Sequence, residues 1–171
     1  MKTLLTLIVA SLISIPAFAQ DHSGHSHDTH LHTLVNEYFG IKDALVSDDF
    51  EKSVKHLTAF SSEARKNNDM NNHSEHASKH EKHHSKMLEA LNQAEAATSI
   101  SQLRDSFDEI SAELLTAVEN QNYNQQTIYV QSCPMANNGE GAKWLSASKT
   151  IQNPYYGQSM QGCGEVIKTI Q

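Results

Sequence analysis

The chain has 171 residues, with 13 Lys and Arg against 20 Asp and Glu, for a formal net charge of −7. That balance disfavours nucleic acid and anionic membrane surfaces, which need basic side chains for charge neutralisation, and it favours a cation as partner. The length suits one compact domain with extra segments.

Residues 1–19 read as a secretory signal: Lys2 supplies the positive start, Leu4 to Ile15 an apolar run, and Ala17-Phe18-Ala19 a small-residue cleavage site. The run is too short for a membrane span, and Gln20 rather than a cysteine follows the cut. The expectation is a soluble protein exported to a bacterial periplasm, with no membrane attachment after cleavage. Losing Lys2 leaves 12 basic against 20 acidic residues, a net charge of −8.

Residues 20–32, QDHSGHSHDTHLH, carry His22, His25, His27, His30 and His32 with almost nothing apolar. By composition this is a disordered tail. Its imidazoles suit loose capture of Zn²⁺, Cu²⁺ or Ni²⁺, and a solvated tail with incidental affinity is the alternative.

From Thr33 to Asn122 there is no proline and one glycine, Gly40. Leu34, Val35, Tyr38, Ile41 and Leu45 recur at helical spacing, as do Phe50, Val54, Leu57, Phe60 and Ala64. Ser47 is the expected cap of the second helix, and 67–72 the following turn. A third helix is expected from about His73 to Ala97. A fourth carries Ile100, Leu103, Phe107, Ile110, Leu114 and Val118, opened by Ser99 with Gln102 three residues on, a capping-box spacing. Four amphipathic helices with short links predict a mainly α fold, an up-down four-helix bundle over 33–122.

The third helix has histidine on its inward arc. At about 100° per residue, His73, His76, His80, His83, His84 and Met87 share one arc, with Leu91 continuing it. Pairs such as His76/His80 or His80/His84 stand at chelating distance on a helix surface. The stripe is either a site for zinc, nickel or oxidised copper or a solvated helix end, because an unpaired histidine row is costly to bury.

Residues 123–171 change character: five of the seven glycines lie beyond Ser132, with Pro134 and Pro154. TIYVQ is an expected strand, and NNGEG and NPYYG are expected turns. This loop-and-strand segment should pack on the helices as part of the same domain. It holds Cys133, Met135, Met160 and Cys163, each cysteine within three residues of a methionine. Thiolate and thioether are soft ligands suited to Cu(I) or Ag(I). Trp144 is a candidate cover for such a site. A structural disulfide fits the same two cysteines in an oxidising compartment, and closing a loop of this length contributes about 3.6 kcal/mol in the chain-entropy model.

The stretch YVQSCPMANNGEGAKWLSASKTIQNPYYGQSMQGCGEV, preceded by LRDSFDEIS, resembles an uncharacterised family of exported domains of unknown function. Its members occur alone or fused to Cus-type periplasmic adaptors of RND copper/silver efflux pumps. The resemblance runs from about Leu34 to Ile170 and is strongest from Tyr129 to Val166. It implies a helical domain with a Cys/Met-bearing end in the setting of copper or silver handling. The four sulfur residues carry over only as motif positions.

Three functions are open to such a chain. One is a metal-binding protein that sequesters or delivers Cu(I)/Ag(I). Another is a disulfide-stapled module docking on an efflux adaptor. The third, an enzyme with Cys133 as nucleophile, has no histidine after His84 to serve as its base and is set aside.

Overall fold

The computed structural model describes residues 23–66 and 77–171; in the helices that open these two segments, side chains are described from Thr29 and from His84 onward. The signal segment, His22, His73, His76 and the turn expected at 67–72 lie outside the described residues. Four helices account for most of the described chain: α1 (Ser23–Val46), α2 (Phe50–Ala64), α3 (Ala77–Glu95) and α4 (Ile100–Asn120). Three strands follow: β1 (Ile128–Cys133), β2 (Ala142–Ser146) and β3 (Glu165–Ile170). None of the described helices is long and apolar enough to cross a membrane.

The α1 helix begins within the segment that composition assigned to a tail. Leu31 is only 3 % exposed, one turn before Leu34 and Val35 on the same inward face. That single leucine extends the apolar stripe, so His30 and His32 belong to the folded helix. At the other end Asp49, not Ser47, caps α2: its carboxylate accepts the Lys52 N–H at 2.9 Å, while Ser47 Oγ donates to the Asp43 carbonyl at 2.9 Å. Asp48 turns the chain between them at φ 56°.

Gly40 permits close packing of α1 on α2, since a Cβ there would stand 2.3 Å from His56 Nδ1. Ser99 caps α4 by accepting the Gln102 N–H at 3.4 Å; Gln102 Oε1 accepts from Thr98 N at 2.8 Å rather than from Ser99. The reciprocal bond of a capping box is thus displaced by one residue. Val35, Tyr38, Ile41 and Leu45 of α1, Leu57 and Phe60 of α2, Leu91 of α3, and Leu103, Phe107, Ile110 and Leu114 of α4 form the buried core.

The C-terminal segment forms a three-stranded antiparallel sheet in the order β2-β1-β3, two strands more than TIYVQ alone predicted. Within β1, Ile128 and Val130 are buried, and then Gln131 and Cys133. A register shift against β3 between Val130 and Gln131 coincides with this change of phase, as a bulge produces. The outer edge of β2 is covered by α1: Leu145 N–H donates to the Tyr38 hydroxyl at 3.2 Å.

Candidate functional site

The four sulfur residues lie in two tight turns joined covalently. Cys133 ends β1 and starts a turn in which Ala136 N donates to the Cys133 carbonyl at 3.3 Å, placing Met135 within it. Met160 opens a second turn, closed by Cys163 N donating to the Met160 carbonyl at 3.1 Å. Cys133 and Cys163 form a disulfide with their Cα atoms 6.0 Å apart, inside the ordinary span for such a bond. Of the two outcomes left open by the sequence, this is the oxidised one. Cys133 is fully buried, Cys163 partly so, whereas Met135 and Met160 are 51 % and 39 % exposed. Sequence reasoning brought the two cysteines together, and they are together; their sulfurs carry no free thiolate in this state.

Asn153 organises the second turn. It is fully buried, its side-chain amide donates to the Cys163 carbonyl at 2.9 Å, and its Oδ1 accepts the Tyr155 N–H at 2.8 Å. Tyr156 donates its hydroxyl to the Met135 carbonyl, so the NPYYG turn touches both Cys–Met turns. Trp144 is buried and donates Nε1–H to Gln131 Oε1 at 2.7 Å. Its ring lies 2.9 Å from where a Cβ on Gly164 would stand, next to the disulfide. Trp144 therefore serves as a packed wall beside Cys163.

Arg104 and Asp48 fix this assembly to the helices, and sequence reasoning singled out neither. Arg104 donates Nε–H to the Pro154 carbonyl at 2.7 Å and Nη2–H to the Leu45 carbonyl at 2.7 Å and to Asp48 Oδ1 at 2.5 Å. Asp48 Oδ2 accepts the Gln158 N–H at 3.0 Å. The Arg104 hydrogen bond, then that of Gln158, holds the Asp48 carboxyl below its ordinary value of 3.8. Gly157, at φ +54°, has no room for a Cβ, which would fall 2.2 Å from Asp48 Oδ1. The available signal was Arg104 standing three residues before Phe107, an arginine on the edge of an apolar arc.

Beside this region Tyr155 reaches the Lys143 carbonyl at 3.1 Å and Asp108 Oδ1 at 3.4 Å. Burial raises both the Tyr155 phenol and the Asp108 carboxyl, so neither ionises as readily as it does in water.

The described histidines each engage a neighbouring element. His30 Nδ1 lies 2.9 Å from Glu63 Oε1, His32 Nδ1 2.7 Å from the Tyr123 hydroxyl, and His84 Nε2 3.1 Å from the Ala64 carbonyl. Met87, on the same arc as the stripe, is a core side chain at 8 % exposure. The side chains of His25, His27, His80 and His83 lie outside the described ones, although their backbone is helical. Among the described residues no three His, Cys, Asp or Glu side chains stand close enough to hold a metal ion.

Residues 34–126 match the model of a protein family of unknown function, DUF3347. The chain belongs to the DUF3347 family. The match runs from within α1 through α2, α3 and α4 and stops two residues before β1, so the Cys–Met turns and the Tyr129–Val166 stretch lie beyond the DUF3347 region. No match was found among curated proteins or among solved structures.

Proposed function

We propose that this is an exported, periplasmic metal-binding protein that sequesters Cu(I) or Ag(I), or delivers it to an efflux system, when its C-terminal disulfide is reduced. The observation that carries the reading is the joining of the two Cys–Met turns through Cys133 and Cys163, with Met135 and Met160 left exposed beside them. Reduction by a dithiol donates two electrons and two protons to the disulfide; the donor becomes a disulfide and two thiols are released in this protein. A soft cation then displaces the thiol protons and takes two thiolates and up to two thioethers. Exchange with a disulfide oxidant, which takes up the two electrons and becomes a dithiol, re-forms the Cys133–Cys163 bond and expels the ion. Support for the helical scaffold as an up-down bundle comes from the contacts of the α1 N-terminal part with the α2 C-terminal end, and of that end with α3.

The second reading is a disulfide-stapled interaction module that docks on an adaptor of an RND copper/silver pump. It is favoured by the full burial of Cys133. In either reading the chain acts by binding, an ion in the first and a protein partner in the second, rather than by catalysing a reaction. An anaerobic Cu(I) titration with a parallel thiol count separates them. Uptake of one tight equivalent only after two thiols appear supports the soft site; no uptake by the reduced protein leaves the docking module.

A further inference from the structure

The disulfide joins two cysteines that the fold presents very differently. Cys133 is the last residue of β1, the central strand of the sheet, and has no exposed surface. It pairs with Ala142 of β2, and its carbonyl accepts the Ala136 N–H; Ala136 and Ala142 are both buried. Cys163 lies outside every strand, in the turn that precedes β3. It is partly exposed, and Met160, Gln161 and Gly162 before it are all exposed.

The glycines on either side of Cys163 show from where it is open. A Cβ at Gly162 would meet nothing within 4 Å, so the chain there borders open space. A Cβ at Gly164 would stand 2.7 Å from the Ser132 carbonyl oxygen and 2.9 Å from the Trp144 ring, so that side is closed. The turn itself is held in place: Cys163 N–H donates to the Met160 carbonyl at 3.1 Å, and the Cys163 carbonyl accepts from the buried Asn153 amide at 2.9 Å. To open a disulfide, a thiolate must reach one of its two sulfurs, and access decides which one is attacked. Of the two cysteines, only Cys163 has exposed surface.

We propose that reduction of this protein is directional: a dithiol partner approaches over the Met160–Gly162 turn, bonds to Cys163 and releases Cys133. One thiolate of the partner attacks the Cys163 sulfur, the Cys133–Cys163 bond breaks, and its electron pair leaves on Cys133, which takes up a proton. The partner's second thiolate then attacks the partner's own sulfur in the mixed disulfide, and Cys163 leaves as a thiolate that is protonated in turn. Overall, two electrons and two protons pass from the partner to the two cysteines, and the partner becomes a disulfide. This rests on the reading above only in taking the disulfide as a bond that a dithiol opens, and it involves no metal.

The test uses the oxidised full chain, free of metal, with reduced glutathione as the probe. Aliquots are quenched in acid at early times, alkylated and digested with trypsin; Lys143 and Lys149 separate the two cysteines into different peptides. Mass spectrometry should find the glutathione adduct on Cys163 in about tenfold or greater excess over Cys133, with Cys133 alkylated in the same molecules. In urea, where the fold no longer shields Cys133, the two should come within about threefold of each other. Equal labelling of the folded chain, an excess on Cys133, or an unchanged excess on Cys163 in urea overturns the proposal and leaves the Cu(I) reading standing. A folded chain that does not react at all overturns it together with the reductive step of that reading.

Discussion

The Tyr38 hydroxyl accepts the Leu145 N–H at 3.2 Å and lies 2.7 Å from Ser111 Oγ, so one side chain of α1 connects a strand edge to α4. Ser111 in turn donates to the Phe107 carbonyl at 2.7 Å, which makes Tyr38 the donor to Ser111. The chain of donors is complete: Leu145 N–H to Tyr38, Tyr38 to Ser111, Ser111 to Phe107. All of it is buried, and burial raises the Tyr38 phenol far above its ordinary value, so it stays neutral. Tyr38→Phe keeps the ring stacked on Phe107 but strands the Leu145 N–H. The expected loss is about 1–3 kcal/mol of stability, read from urea unfolding.

Asp48 should make stability depend on pH. Its carboxyl is held low in the folded chain by Arg104 and by the Gln158 N–H. A group depressed in the folded state contributes stability above its unfolded value, here the ordinary 3.8, and that contribution fades as pH falls through the folded value. Asp48→Asn should therefore lower the urea midpoint at pH 7. The gap to wild type should narrow steadily as the pH is lowered below 4.

Two glycines of the C-terminal segment should respond differently to alanine. Gly157 and Gly139 both have positive φ, at 54° and 90°, but only at Gly157 would a Cβ strike Asp48 and Arg104. Gly139→Ala should cost about 1 kcal/mol for backbone conformation alone. Gly157→Ala should cost more in thermal unfolding and should also weaken the pH dependence attributed to Asp48.

The helices were legible because their apolar residues recur without interruption: Leu34, Val35, Tyr38, Ile41 and Leu45 are all buried where the period put them. The sheet was far less so. The bulge in β1 divides its alternation into two halves too short to read, and β3 is an edge strand with mostly exposed side chains, so it has little hydrophobic pattern. The start of α1 was obscured because Leu31 is a single apolar residue among histidines. For the candidate site, spacing brought Cys133 and Cys163 together, but composition holds no information on their redox state. Arg104 and Asp48 were missed because they pair with each other across two helices of sequence and otherwise bind backbone groups, at Leu45, Pro154 and Gln158, that carry no side-chain signal.

The disulfide should stabilise the sheet more than any single contact in it. Its sequence separation of 30 corresponds to about 3.6 kcal/mol of chain entropy. A dithiol reductant should lower the melting temperature of wild type to that of Cys133→Ser/Cys163→Ser and leave the variant unchanged. Added Ag(I) should then restore part of the loss in reduced wild type only, because a ligand bound to the folded state stabilises it.

Competition for Cu(I) between the reduced protein and a chromogenic chelator, under anaerobic conditions, tests the soft site most directly. Wild type should withdraw one equivalent from the chelator after reduction and none while the disulfide is intact. Cys133→Ser/Cys163→Ser should withdraw none in either state, and Met135→Leu/Met160→Leu should hold the ion more weakly than wild type. Equal affinity in wild type and the double serine variant would contradict the proposal that these sulfurs bind the metal.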